Sequence, residues 1–219
     1  DQAKSKGAKG DGFDQLEEKL NHSETTKKHL SKTGDPPKDQ LQALQSLYNQ
    51  RKLQQVFLET QELVKEYPNS VVLWNLMGAS AGQTGQPDKA VSAFQRVISI
   101  NPDSADAHYN IAITFQGQNK LKEAIDAYKK AILLKPDYAE AYNNMGIALK
   151  DQDKLEEALE AYKKVLSITP DIAEAYNNTG VALKEQGKFE EAIEAYTKAL
   201  SINPEYTEAY NNMGNALQE

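Results

Sequence analysis

The chain has 219 residues, 39% hydrophobic and 26% charged, with a formal net charge of −7 and no cysteine. Disulfides and thiolate metal sites are therefore excluded, and the negative balance argues against a nucleic-acid backbone or an anionic membrane as partner while suiting a basic ligand segment. No apolar run approaches the ~18 residues of a membrane span, and Asp1-Gln2-Ala3-Lys4 begins no signal peptide, so the expected location is cytoplasmic.

Residues 1–36 are rich in Lys, Gly, Ser, Thr and Asp, with seven Lys against seven Asp or Glu. Such a stretch buries too little apolar surface to offset its ordering entropy, and a flexible leader is expected. Phe13, Leu16 and Leu20 are spaced i, i+3, i+7, which allows a short helix over 13–20 if it meets a groove, as an arm docking on a neighbour or on its own array.

From residue 37 the sequence is periodic. Ala105-Asp106-Ala107-His108, Ala139-Glu140-Ala141-Tyr142, Ala173-Glu174-Ala175-Tyr176 and Thr207-Glu208-Ala209-Tyr210 start 34 residues apart. The units are a degenerate one at 37–70, then 71–104, 105–138, 139–172 and 173–206, and a lone first helix at 207–219. Within 139–172, apolar residues fall at Tyr142, Met145, Ala148 and Leu149. They resume after Asp151-Gln152-Asp153 at Leu155, Ala158, Leu159, Tyr162, Val165, Leu166 and Ile168. Both runs have the 3.6-residue period of an amphipathic helix, and the short break makes them an antiparallel hairpin. Pro68, Pro102, Pro136, Pro170 and Pro204 close the second helices, because proline disfavours helix at the residue before it. Gly78, Ala112, Gly146, Gly180 and Gly214 recur in the first helices, opposite Phe94, Tyr128, Tyr162 and Tyr196 in the second. A mid-helix glycine costs roughly 0.5–1 kcal/mol against alanine, so its recurrence predicts close helix approach, with the aromatic filling the complementary space.

These positions carry a resemblance to the tetratricopeptide repeat family. The pattern reads Trp74, Met77-Gly78, Ala81, Ala90, Phe94, Val97, Pro102 in one unit and His108, Ile111-Ala112, Phe115, Ala124, Tyr128, Ala131, Pro136 in the next. The unit at 37–70 departs from it, with Leu44 in the small position, Val56 for Ala and Thr60 for the aromatic, and is expected to act as an N-terminal cap. The resemblance implies an all-α, right-handed superhelical α-solenoid of antiparallel helix–turn–helix repeats, whose first helices line a concave face. It implies a scaffold that binds another protein or an extended peptide there.

Asn110, Asn144, Asn178 and Asn212 stand just before the small position, 34 residues apart, with Leu76 in the corresponding place of the unit at 71–104. An Asn amide both donates and accepts. Helices pack about 8–10 Å apart and an extended peptide advances about 3.3 Å per residue, so one rung per repeat meets roughly every third peptide unit. This resembles the asparagine ladder of O-linked N-acetylglucosamine transferases; the alternative is a merely tolerated, solvated position. Asn143, Asn177 and Asn211 read as solvent-facing or inter-repeat contacts. Asp106, Glu140, Glu174 and Glu208 open the first helices and favour the helix dipole by roughly 0.3–1 kcal/mol each. They also argue against the carboxylate-clamp binding of acidic chaperone tails known in the family. Lys150 and Lys184 sit at the far ends of their helices; they and Glu140 and Glu174 are candidates for the groove rim.

No phosphate loop, nucleophile elbow or acid–base constellation is present, so neither catalysis nor a cofactor is expected. His108 occupies an aromatic packing position; His22 and His29 have no spaced metal partners, and no metal site is expected. The chain lacks an initiating Met and stops within a helical pattern at Gln218-Glu219, which suggests a piece of a longer protein. Two alternatives follow. One is the substrate-recruiting arm of a glycosyl-, sulfo- or methyltransferase; the other is self-assembly into a homo-oligomer through the array ends or the N-terminal arm.

Overall fold

Helix is the only regular structure among the described residues, which in this computed structural model are 34–219. The leader's expected helix over 13–20 lies outside them. Eleven α-helices follow in order: α1 Lys38–Asn49, α2 Leu53–Glu66, α3 Val71–Gln83, α4 Pro87–Ile100, α5 Ala105–Gly117, α6 Leu121–Leu134, α7 Ala139–Lys150, α8 Leu155–Ile168, α9 Ala173–Glu185, α10 Phe189–Ile202 and α11 Thr207–Ala216. Odd-numbered helices are the first, and even-numbered the second, of each hairpin.

Each hairpin turn is made the same way. Arg51, Gly85, Asn119, Asp153 and Gly187 have φ of 60°, 73°, 58°, 60° and 74°, one left-handed residue every 34 positions. Glycine adopts this conformation without steric cost and Asn and Asp tolerate it. Arg51 is the exception in kind. At the other end of each unit, Ser70 and Ser104 accept hydrogen bonds from the backbone N–H of Leu73 and Ala107, capping α3 and α5. Pro87 opens α4 at a position where its missing N–H costs nothing.

The glycine–aromatic complementarity read from the sequence is real contact. A Cβ on Gly78 would sit 2.7 Å from the Phe94 ring, and one on Gly146 or Gly180 would sit 2.5 Å from the ring of Tyr162 or Tyr196. Tyr128, Tyr162 and Tyr196 are fully buried. In the first hairpin the sizes are exchanged: Leu44 is the large residue on α1 and Thr60 the small one on α2, and both are buried. The Thr60 hydroxyl is satisfied by the carbonyls of Val56 (2.7 Å) and Phe57 (3.0 Å), so the exchange leaves no orphaned polar group.

There is no single centre to the core. Apolar clusters succeed one another along the chain, from one around Leu44, Val64 and Leu73 to one around Leu183, Tyr196 and Ala216. Successive first helices touch one another (α3 with α5, α5 with α7, α7 with α9, α9 with α11), whereas successive second helices make no comparable contact. Helices crowded on one side and spread on the other bend the stack, so the first-helix side is concave. The molecule is an all-α solenoid of helix–turn–helix repeats.

Candidate functional site

The concave side is built from the faces of α3, α5, α7, α9 and α11 left over after hairpin packing. Asn110, Asn144, Asn178 and Asn212 all lie on these helices and are half-buried. Their amides are not equivalent. Asn178 Nδ2 donates to Asn143 Oδ1 of the preceding repeat (3.2 Å), and Asn212 Nδ2 donates to Asn177 Oδ1 (3.0 Å). Asn143 and Asn177 in turn donate to the carboxylates of Glu174 (2.9 Å) and Glu208 (3.4 Å). A carboxylate only accepts, which fixes the amide of Asn143 and Asn177 with its oxygen toward the next rung. Asn144 Nδ2 donates to Tyr109 Oη at 3.0 Å.

One N–H of three rungs is thus committed between repeats, which leaves the side-chain carbonyl oxygen and the second N–H. Asn110 differs. The residue 35 positions earlier is Asn75, and no hydrogen bond to the Asn110 side chain is made among the described residues, leaving both halves of its amide available. Asn177, read from sequence as a solvent-facing or inter-repeat position, is completely buried. It is an inter-repeat contact, because the stack brings residues 35 apart side by side.

Three of the four acids that open the first helices have partners beyond the helix dipole. Besides the asparagine bonds to Glu174 and Glu208, Asp106 Oδ1 accepts from Tyr138 Oη at 2.9 Å. Burial first, then that hydrogen bond and the Asp106 charge, push the Tyr138 phenol far above its ordinary range. Glu140, Glu174 and Glu208 are exposed and form no ion pair among the described residues. Lys150 Nζ is held by the neighbouring Asp151 at 2.7 Å, a hydrogen bond that raises its pKa. Lys184 is half-buried on α9 beside exposed Glu185. Tyr128 Oη donates to Gln116 Oε1 at 2.6 Å; where Lys150 and Lys184 replace that glutamine, the hydroxyls of Tyr162 and Tyr196 are buried without a protein partner. Burial pushes the Tyr196 phenol up to about 12.

His108 is half-buried in its packing position, and burial, helped by the charge of Lys130, lowers its pKa. Among the described residues no cluster of three or more His, Asp or Glu side chains is placed to hold a metal ion, and no helix is long and apolar enough to cross a membrane.

One feature of the concave side is not foreseen from the repeat pattern. Between α1, α3 and α5 lies a cleft of about 520 Å³, over Gly78, Gly82 and Gly117, with Phe94 at its base and Asn110 and Ile113 in its wall. The signal for it is residue 82, a glycine in register with Gln116, Lys150 and Lys184.

Comparison with known proteins decides the family. A tetratricopeptide repeat model matches residues 137–205, and a TPR repeat model matches 83–119 and 115–153, so that the two together span more than half of the chain. The chain belongs to the tetratricopeptide repeat family. Among solved structures, this tetratricopeptide array is similar to MamA (26% identity, TM-score 0.68), over 73% of this chain and 93% of MamA. It is also similar to pilF of Pseudomonas aeruginosa (26% identity, TM-score 0.61), over 66% of each chain. YrrB, described as a TPR protein with an unusual peptide-binding site, shares the fold at 18% identity and TM-score 0.67, over 92% of this chain and 97% of YrrB. In sequence, 63 residues are 30% identical to the peroxisomal targeting signal receptor of Candida glabrata; they are 29% of this chain and only 11% of the receptor. The fold and these relatives support a scaffold for protein–protein interaction.

Proposed function

We infer that the array binds an extended peptide segment of a partner protein along its concave face. The observation that carries this reading is the rung geometry. Asn144, Asn178 and Asn212 each direct one N–H to the preceding repeat, which orients the amide, so each offers a fixed carbonyl oxygen that accepts a peptide N–H. Bonds of that kind hold a backbone whatever its side chains, and the donors between repeats keep the oxygens from reorienting, which lowers the entropic cost of capture. YrrB, similar in fold, is described as having a peptide-binding site, which is consistent with this use of the groove.

The reading is tested with Asn144→Ala/Asn178→Ala. Peptides are first selected from a displayed random library on the wild-type array, and one is then titrated against both proteins. Loss of two accepting groups, each worth about 1 kcal/mol, weakens binding about tenfold or more. Circular dichroism of the double variant must still show a folded helical array. Unchanged affinity in a folded variant rules the ladder out.

A further inference from the structure

The concave face changes character along its length, and the change specifies a ligand. At the N-terminal end, the cleft between α1, α3 and α5 is lined by no charged side chain. It exists because Gly82 and Gly117 leave room where later repeats carry long polar residues, so that the Phe94 ring and the half-exposed Ile113 face the opening. About 520 Å³ lies in the range of small-molecule pockets, more than enough room for a bulky side chain. Its polar wall includes Asn110, the rung whose amide can both donate and accept.

Toward the C-terminal end the same face is acidic. Glu140, Glu174 and Glu208 are exposed and unneutralised, and the two lysines there, Lys150 and Lys184, stand beside Asp151 and Glu185. A segment lying across both regions needs an apolar group at one end and positive charge at the other.

Building on the peptide-binding reading, we propose that the cleft takes one bulky apolar side chain of the peptide, anchored at its backbone by Asn110, while basic residues of the same peptide lie over the carboxylates of α7, α9 and α11. With repeats about 8–10 Å apart and about 3.3 Å per extended residue, the basic positions fall roughly three, six and nine residues from the apolar anchor. The anchor supplies the buried apolar area; the row of carboxylates sets the charge preference and makes binding weaken with salt.

The experiment uses the whole chain and immobilised peptides about ten residues long. One position is Leu, Phe, Gly or Asp, and the flanks are rich in lysine or in glutamate. Wild type is expected to favour Leu or Phe over Gly by about tenfold or more and lysine over glutamate flanks. Gly82→Leu narrows the cleft, and a Cβ there meets only Ala90 Cβ at an ordinary 3.7 Å. Gly117→Leu is a second filler, with nothing within 4 Å of its Cβ. Both are expected to abolish the Leu-over-Gly preference and keep the lysine preference; Glu140→Gln/Glu174→Gln is expected to do the reverse. The proposal is overturned if both leucine variants bind Leu and Gly peptides as wild type does, or if glutamate flanks bind better. If no peptide of either charge binds wild type, the peptide-binding reading itself fails, and the anchor with it.

Discussion

At the residue scale the array depends on pairs of unlike size. Gly146 and Tyr162 occupy one space between them, and the ring lies where a methyl would go. Gly146→Ala is therefore expected to destabilise the fold by about 1–3 kcal/mol, through overpacking that outweighs alanine's better helix propensity. Gly82→Ala, whose Cβ would make only an ordinary 3.7 Å contact with Ala90 Cβ, is expected to stabilise by about 0.5–1 kcal/mol. Urea denaturation of the two variants beside wild type separates steric from backbone effects. Ala112 occupies the glycine position opposite Tyr128 in its own repeat, and both are buried. These pairs are legible in the sequence itself, because a mid-helix glycine is costly and recurs opposite an aromatic where the two helices must touch.

At the element scale the recurring device is the left-handed residue that reverses each hairpin. Four of the five are Gly, Asn or Asp in register, a pattern readable from the 34-residue alignment; Arg51 hides it in the degenerate unit. A residue with a Cβ is disfavoured by roughly 1–2 kcal/mol in this conformation. Arg51→Gly is accordingly expected to raise stability by about 0.5–1 kcal/mol, the remainder being lost to glycine's unfolded-state entropy and to the exposed Arg51–Gln83 hydrogen bond. Asn119→Gly, at a residue that already tolerates the conformation, should change the melting temperature much less. A calorimetric comparison in which the two substitutions act alike would remove turn strain as the cause.

At the scale of the whole molecule, each hairpin is held only by its neighbours, so stability is a sum of local terms rather than one cooperative core. The helices in the middle, α5 to α8, are packed on both sides. By contrast, α11 rests on α9 and α10 alone, with Tyr210 and Leu217 half or more exposed. Amide hydrogen exchange is expected to be slowest in α5–α8 and to quicken toward α1 and α11. Uniform protection across all helices would mean that the array unfolds as a single unit.

Period, hairpin, glycine–aromatic pairing and family were all determined by the sequence itself, because each depends on residues close in the chain or on a repeat that aligns with itself. Which groups the concave face offers was decided only by the tertiary structure. The stack's rotation places residue 178 beside 143 and 212 beside 177, an offset of 35 in a 34-residue repeat, and so commits one N–H of each asparagine and fixes its amide. It also sets Ile113 beside the space left at Gly82. Neither follows from periodicity, since both depend on how far one hairpin turns as it settles on the last.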